Sequence, residues 1–505
     1  MTSRFLTAAL TATTLALCLP ACTVGPDFKA PTPAAPDDWA SWRGGDPSLI
    51  APTSGSVTIP ADWWTILGDP VLDRLERQAM AASPDIETAA LHFAQARAQR
   101  GIAASASLPQ VNASAQVNRQ RMSEYGASTR LFDAIGGSAS GASRDELAKF
   151  LADPFTLYQG GFDAGWEIDL WGRVHRSIES ADAQVAGQGA MLDLARLSVA
   201  SEVAQAYFAL RTAQAQIALA KEDIALLTDQ VSLVAARADG GMENHTGLET
   251  DRAGLRALEA SLPALQAQEA AQIGRIALAL GQQPGSLRDL LLPARNATVI
   301  PAPPDLSLGL PSEVAQRRPD VRAAESKLHA ATAEIGIAIA DLYPAIRLGG
   351  GFGLESYRKD NLFDWASRTW QIGPGLSLPI FDGGRRRAAV QVRKLEAREA
   401  FVNYQTTVLK AWQEIDDALN DYTAEWHRRE KFIAREGSAR AAWQNVEARY
   451  RAGSANYLPV IDARRAVLQA ARDVADSEGR LRTHFAAVNK AIGNAPSSPG
   501  TPPKD

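Results

Sequence analysis

The sequence is poor in the residues that staple or metallate a fold. It has two cysteines, Cys18 and Cys22, both close to the start. Beyond residue 22 no thiol remains for a disulfide or a thiolate-bound metal. The six histidines, His92, His175, His245, His329, His427 and His484, lie far apart without ligand spacing. After residue 22 no run of 18 or more apolar residues occurs. A transmembrane helix is thereby excluded from that part, and a crossing of any bilayer has to be made by strands. The net charge of -5 over 505 residues is too small to point to nucleic acid. No acid–base pair or activated nucleophile stands out. Asp320, Glu325 and Glu334 have no base or nucleophile beside them in the pattern, and Gly349–Gly353 lacks the lysine of a phosphate loop and lies within a strand pattern. The expectation is no enzyme, no cofactor and no metal site.

What the sequence does have is a long stretch without proline, from Arg173 to Ala238. Val203, Leu210, Ile217, Ile224 and Val231 recur at every seventh position, and Val199, Ala206, Ala213, Ala220, Leu227 and Val234 form a second seam. A heptad period means helices wound around helices. An unbroken helix here is roughly 95 Å long, more than a compact domain needs.

The chain begins with Arg4 and a short apolar segment, Phe5–Leu17, ending at Leu19-Pro20-Ala21-Cys22. This resembles a bacterial lipoprotein signal, so residues 1–21 are expected to be removed and Cys22 to carry the lipid. Thr23 follows in place of an aspartate, which in that family implies the outer membrane. Residues 22–60 read as an extended arm. In Asp69-Pro70, the aspartate suits a helix N-cap and the proline the first helical position.

Two strands are expected at 109–118 and 158–171. In the first, Val111, Ala113, Ala115 and Val117 alternate with Gln110, Asn112, Ser114, Gln116 and Asn118. Residues 119–150 between them read as an irregular loop. The long helix, 173–238, stops at Asp239-Gly240-Gly241, and a return helix covers 246–280. The proline-rich segment 285–311 reads as an irregular connector. The order then repeats. Pro84-Asp85 opens a helix ahead of Pro109, and Pro319-Asp320 opens one at the same interval ahead of Pro344. Strands at 344–355 and 370–381, a long helix at 385–451 and a return helix at 457–492 follow, with a tail at 494–505. The chain is thus a duplication, 61–284 and 312–493, around the connector.

Four strands, each apolar on one side and polar on the other, cannot close a useful barrel alone. An open edge in lipid leaves backbone groups unsatisfied, so closure has to come from other subunits. A mixed α and β membrane protein, oligomeric, with polar faces toward a wet lumen and long helices projecting from the membrane, describes a duct.

At this point the sequence resembles a known family, the TolC-like outer-membrane efflux proteins, in the lipoprotein branch typified by OprM and NodT. The matching segments are Leu19–Cys22 with Val24–Phe28, Trp63-Trp64 with Asp69–Asp73, Arg317–Arg322, Leu378–Gly384, and Tyr450–Gly453 with Tyr457–Ala463. The resemblance implies a homotrimer with a 12-stranded β-barrel, four strands per subunit, continued by a periplasmic α-helical barrel with an equatorial collar. It implies an inner-membrane pump of the resistance-nodulation-division type and a periplasmic membrane-fusion adaptor as partners, with drugs or other small organic solutes as cargo. It also implies a closing periplasmic aperture at Leu458 and Asp462, with Tyr450 nearby, and a first-repeat counterpart at Glu249, Thr250 and Asp251. Where other members carry a second acid and an arginine, this chain has Pro459 and Ala455. Arg237, Gly240, Gly241, Arg449, Arg451 and Gly453, at the helix tips, are the expected adaptor contacts. Trp166, Trp171, Trp370 and Phe381 are expected to form an interfacial aromatic girdle. Metal efflux, type I protein secretion and a non-conducting structural trimer are the alternatives. No stripe of methionine or histidine along the lumen positions supports the first.

Overall fold

A computed structural model describes residues 23–32, 46, 49, 57–126, 144–242, 244–292, 306–307, 314 and 316–496. Cys22 and its signal segment, most of the connector and residues 497–505 lie outside them. Two compact units emerge, one of Met1–Phe28, Ala98–Asp182 and His329–Arg398, the other of Lys29–Arg97, Ala183–Leu328 and Glu399–Asp505.

The chain runs β1 (Val57–Thr58), α1 (Pro70–Ala82), α2 (Pro84–Ser105), β2 (Gln110–Gln120), α3 (Arg144–Ala152), β3 (Phe155–Ile168), α4 (Arg173–Asp239) and α5 (His245–Ala279). It continues through α6 (Arg288–Leu291), β4 (Leu306–Ser307), α7 (Pro319–Ala340), β5 (Ala345–Ser356), β6 (Arg368–Ser377), α8 (Arg385–Arg451) and α9 (Leu458–Ala491). The duplication is metrically tight over its second half. Helices α4 and α8 are each 67 residues long, so their starts and their ends share one offset. The stretch from Pro109 to Arg173 is longer than that from Pro344 to Arg385, because the first copy carries an insertion between its two strands.

That insertion holds the first departure from expectation. Within the segment read as loop, Arg144–Ala152 is a helix, because Ala148 and Ala152, one turn apart, bury together. The second departure is the connector. Pro284–Leu287 forms a 3-10 turn leading into α6, and Leu306–Ser307 pairs parallel with Val57–Thr58. Its prolines cluster from Pro293 onward, which leaves Gly285–Leu292 free to coil.

In the first unit β2, β3, β5 and β6 form an antiparallel sheet in that order. β3 and β6 stop at Ile168 and Ser377, short of the expected ends, because Pro379 has no N–H to donate and the chain turns toward α4 and α8. Residues Thr23–Phe28 of the arm are part of this unit. Val24 donates its N–H to the Trp171 carbonyl at 3.1 Å, Asp27 accepts from Arg176 at 2.6 Å, and Phe28 stacks on His329 with ring centroids 4.2 Å apart.

The second unit is helical. All six positions of the second heptad seam, from Val199 to Val234, are buried, as are Val203, Leu210 and Ile217 of the first. Along α8, Tyr404, Val408, Ala411, Ile415, Leu419 and Tyr422 are buried at steps of three and four. Asp69 caps α1 by accepting the Val71 and Leu72 N–H groups on Oδ1, and accepts the Tyr207 hydroxyl on Oδ2 at 2.5 Å. Burial first, then that bond, pushes the Tyr207 hydroxyl up and keeps it protonated. Arg318 is a clamp. Its buried guanidinium donates to the Ala491 carbonyl at 2.6 Å and to the carboxylates of Asp320 and Glu414 at 2.8 and 2.5 Å.

Candidate functional site

Two places carry functional geometry, the sheet in the first unit and the helix tips in the second. Strand pairing fixes the sheet's two faces, since residues directly opposite share a side. Val117, Tyr158 and Ser356 form one rung, Ala113, Phe162, Phe352 and Trp370 another, and Trp166, Leu348 and Pro374 a third, all on the apolar face. Val111, Phe162, Phe352, Trp370, Ile372 and Leu376 are exposed on it. The opposite face is polar and internally bonded. Asn112 donates to Asp163 at 3.1 Å, Gln116 to Gln159, and Gln159 to Glu355 at 2.6 Å. Nearer the helices Arg347 and Glu167 pair at 3.5 Å. β2 and β6 each have a strand partner on one side only among the described residues.

The four expected girdle aromatics divide between two levels. The Trp166 indole donates to the Ser107 carbonyl at 3.0 Å, and that of Trp171 to the Pro344 carbonyl at 2.8 Å, both where the strands meet the helices. Trp171 also stacks on Tyr343 at 4.7 Å. Phe381, beyond β6, is 91% exposed. Trp370 stands instead near the loop end, opposite Phe352. Alternation reveals the face of a residue but not its rung.

At the tips both repeats end their long helix in the same way. Gly241 and Gly453, each just past the end of its helix, both have φ of 73°, the left-handed turn that a side chain would strain. Met242 donates to the Arg237 carbonyl and Ser454 to that of Arg449, both at 2.9 Å. Arg237, Gly240, Arg449 and Arg451 thus sit in matched Schellman turns, with Arg451 also paired to Glu447 at 2.7 Å.

The expected aperture residues are not equivalent. Asp462 is exposed. Leu458, one turn before it, is half-buried against the cluster of Val234, Ala238 and Leu248 of the first repeat. The Tyr450 ring lies 5.2 Å from Tyr457, a neighbour that the pattern did not single out. In the first repeat Thr250 occupies the place of Asp462, since it follows Gly241 by the interval at which Asp462 follows Gly453. Its hydroxyl donates back to the Thr246 carbonyl at 2.9 Å. Glu249 pairs with Arg252 at 2.6 Å, and Asp251 accepts from Gln230 at 3.3 Å.

The sequence reading missed a joint between the repeats. Glu222 accepts from Arg464 at 2.7 Å, and buried Asp223 accepts from Arg465 at 2.9 Å and Arg472 at 3.0 Å. The Arg464 guanidinium also lies 4.6 Å from the centre of the Trp443 ring. These acids and their arginines stand in opposite halves of the chain and follow no spacing rule.

The profile of the outer membrane efflux protein family matches residues 75–282 and 310–494. The outer membrane protein OprJ of Pseudomonas aeruginosa is 29% identical over 95% of this chain and 94% of its own. The pyoverdine export outer membrane protein OpmQ of Pseudomonas putida is 30% identical over 92% and 94%. Among solved structures, the outer-membrane channel OprN superposes with a TM-score of 0.78 at 30% identity, covering 94% of this chain and 99% of that one. The Campylobacter jejuni CmeC outer membrane channel gives 0.79 at 25% identity, covering 95% and 96%. The chain belongs to the outer membrane efflux protein family, and it is an outer-membrane efflux channel.

Proposed function

We propose that this channel is the exit duct of a tripartite efflux pump, working as a homotrimer that takes small organic solutes from an inner-membrane pump of the resistance-nodulation-division type through a periplasmic adaptor. The observation that carries the reading is the sheet. One face is apolar and the other is a ladder of hydrogen-bonded Gln, Asn, Asp and Glu. Three copies of its four strands close a barrel of 3 × 4 = 12, with β2 of one subunit paired to β6 of the next. The polar ladder then lines a wet lumen, and the apolar face meets lipid.

Lipidation at Cys22 follows the same logic. Residues Thr23–Phe28 dock where the strands meet the helices, beside Trp171, and this placement of the first described residues supports an anchor at the start of the mature chain. At the tips, Asp462, with Leu458 and Tyr450 around it, forms the periplasmic aperture, and the paired turns at Gly241 and Gly453 receive the adaptor. Organic cargo is favoured over metal ions because the polar face presents amides, hydroxyls, carboxylates and the Arg347 guanidinium, without methionine or histidine among the paired positions. The cation efflux system protein CusC of Escherichia coli K12, 24% identical over 95% of this chain, is the reason to test metals as well.

The test is a deletion strain grown against dyes, detergents, antibiotics and metal ions, complemented with the wild type and with Cys22→Ser. Hypersensitivity to organic compounds, rescued by the wild type, is the expected result. Sensitivity to metal ions alone would replace the cargo assignment. Full rescue by Cys22→Ser with unchanged membrane fractionation would remove the anchor.

A further inference from the structure

The polar face of the sheet is not level. One of its rungs, Ser114, Gly161, Gly353 and Thr369, carries only short side chains or none. A Cβ at Gly161 would lie 2.7 Å from both the Gly353 Cα and the Phe352 carbonyl oxygen, so this floor admits nothing larger than glycine. The next polar rung toward the helices carries Asn112, Asp163 and Gln371. The next one toward the loops carries Gln116, Gln159 and Glu355. The low rung is thus a groove between two walls, which are four residues apart along the strands, or about 13 Å. A cavity of about 420 Å³ occupies it, with Asp163 on one wall and Glu355 on the other. That is the volume of a site for a small organic solute. Its charges have one sign. Asp163 accepts from Asn112 at 3.1 Å and Glu355 from Gln159 at 2.6 Å, each through one oxygen. The second oxygen of each carboxylate has no hydrogen-bond partner among the described residues. None of the three rungs carries Lys, Arg or His. Arg347, two polar rungs from Asp163, is paired with Glu167. The amides therefore fix both carboxylates in place without neutralising either.

We infer that this groove, resting on the reading of the polar face as a wet lumen, is a cargo-binding site for an elongated organic polyamine, with one ammonium on Asp163, another on Glu355 and the carbon chain across the glycine floor. Charge-assisted hydrogen bonds at both ends favour such a molecule over a monoamine, which engages one wall only. Both walls reject an anion of the same length.

Purified trimer in lipid nanodiscs is titrated with spermidine, butylamine and the dicarboxylate suberate by isothermal calorimetry. The wild type is expected to bind about one spermidine per chain, about tenfold or more tighter than butylamine, and suberate more weakly still. Asp163→Asn with Glu355→Gln keeps the shape of the walls, removes both charges and should weaken spermidine binding about tenfold or more. Thr369→Trp fills the groove from β6 with both acids in place and should weaken it as much. Should the charge variant fail to assemble, Thr369→Trp decides in its place. Equal affinity of the wild type for spermidine and butylamine, or unchanged spermidine affinity in an assembled variant, overturns the assignment. Planar-bilayer conductance of the wild type keeps the two readings apart. A conducting trimer that does not bind spermidine loses this site alone, whereas a trimer that does not conduct loses the duct.

Discussion

Asp223 and Arg465 join the two halves of the duplication at 2.9 Å, with Arg472 holding the other carboxylate oxygen. The carboxylate is buried on α4 and both arginines are on α9. Removing one charged hydrogen bond from such a group costs about 1.5–3 kcal/mol. Arg465→Ala leaves Asp223 one partner and frees α9 near the tip. The expected outcome is a larger and noisier conductance in planar bilayers at unchanged trimer yield. Arg465→Lys, which keeps the charge but loses the planar donor, should fall between. An Arg465→Ala channel with wild-type current would show that the joint is structural and plays no part in gating.

Asp462 makes a different prediction, because it is exposed while the acids of the joint are paired. Three copies around an axis concentrate negative charge, and such a ring draws cations. Asp462→Asn should lower the cation-to-anion permeability ratio about twofold or more, read from the reversal potential in a salt gradient. Thr250→Asn, at the matching place in the first repeat, should leave that ratio unchanged. An unchanged ratio in Asp462→Asn would overturn the proposed place of Asp462 at the aperture.

Glu76 on α1 is fully buried, and both its carboxylate oxygens lack a hydrogen-bond partner among the described residues. Burial first, and the charge of Asp73 second, raise its pKa well above the ordinary 4.5. The folded chain therefore holds this proton more tightly than the unfolded chain. Stability contributed by the group is complete below about pH 4.5 and is lost as pH rises through the folded pKa. Glu76→Gln removes the titration. Its melting temperature should exceed that of the wild type at pH 8, and the gap should close as pH falls toward 4.5. A gap independent of pH would mean that Glu76 is not the titrating group.

The parts of this fold that were legible are those with a period. Two-residue alternation gave the strands and their faces, and the heptad gave α4 with its buried second seam. Gly172, Gly241 and Gly281 recur as Gly384, Gly453 and Gly493 at one constant offset, all with positive φ, so the duplication is written in the turns that bound its helices. What stayed hidden was joined across the chain. The packing of Leu458 on Val234, Ala238 and Leu248 of the first repeat is one such contact, invisible in the spacing that sets it one turn from Asp462. The Asp27–Arg176 pair and the Asp223 joint follow from docking, which no local pattern encodes. Helix α3 was missed because it is short, and because Phe150 is exposed while the small Ala148 and Ala152 are buried, within a stretch otherwise rich in Gly, Ser and charge.

Gly479 on α9 tests whether the helix contacts of the second unit need so close an approach. A Cβ placed there would stand 1.9 Å from the Thr212 hydroxyl oxygen on α4 and 3.0 Å from its Cβ. The first distance is a clash and the second is tight, so a side chain here must turn the Thr212 hydroxyl away or push the two helices slightly apart. That hydroxyl now donates to the Phe208 carbonyl at 2.9 Å. The contact lies beside Leu481 and Phe485, which belong to the core around Tyr207, Phe208 and Leu210. Overpacking a dense interior of this kind costs about 1–3 kcal/mol. Gly479→Ala should lower the melting temperature, and Gly479→Leu should reduce assembled trimer sharply. The rescue discriminates between causes. Thr212→Ala removes the hydroxyl, so Thr212→Ala with Gly479→Ala should recover most of the loss if the clash alone is responsible. Failure of the double variant would assign the loss to the wider α4–α9 spacing, which no single side chain can restore.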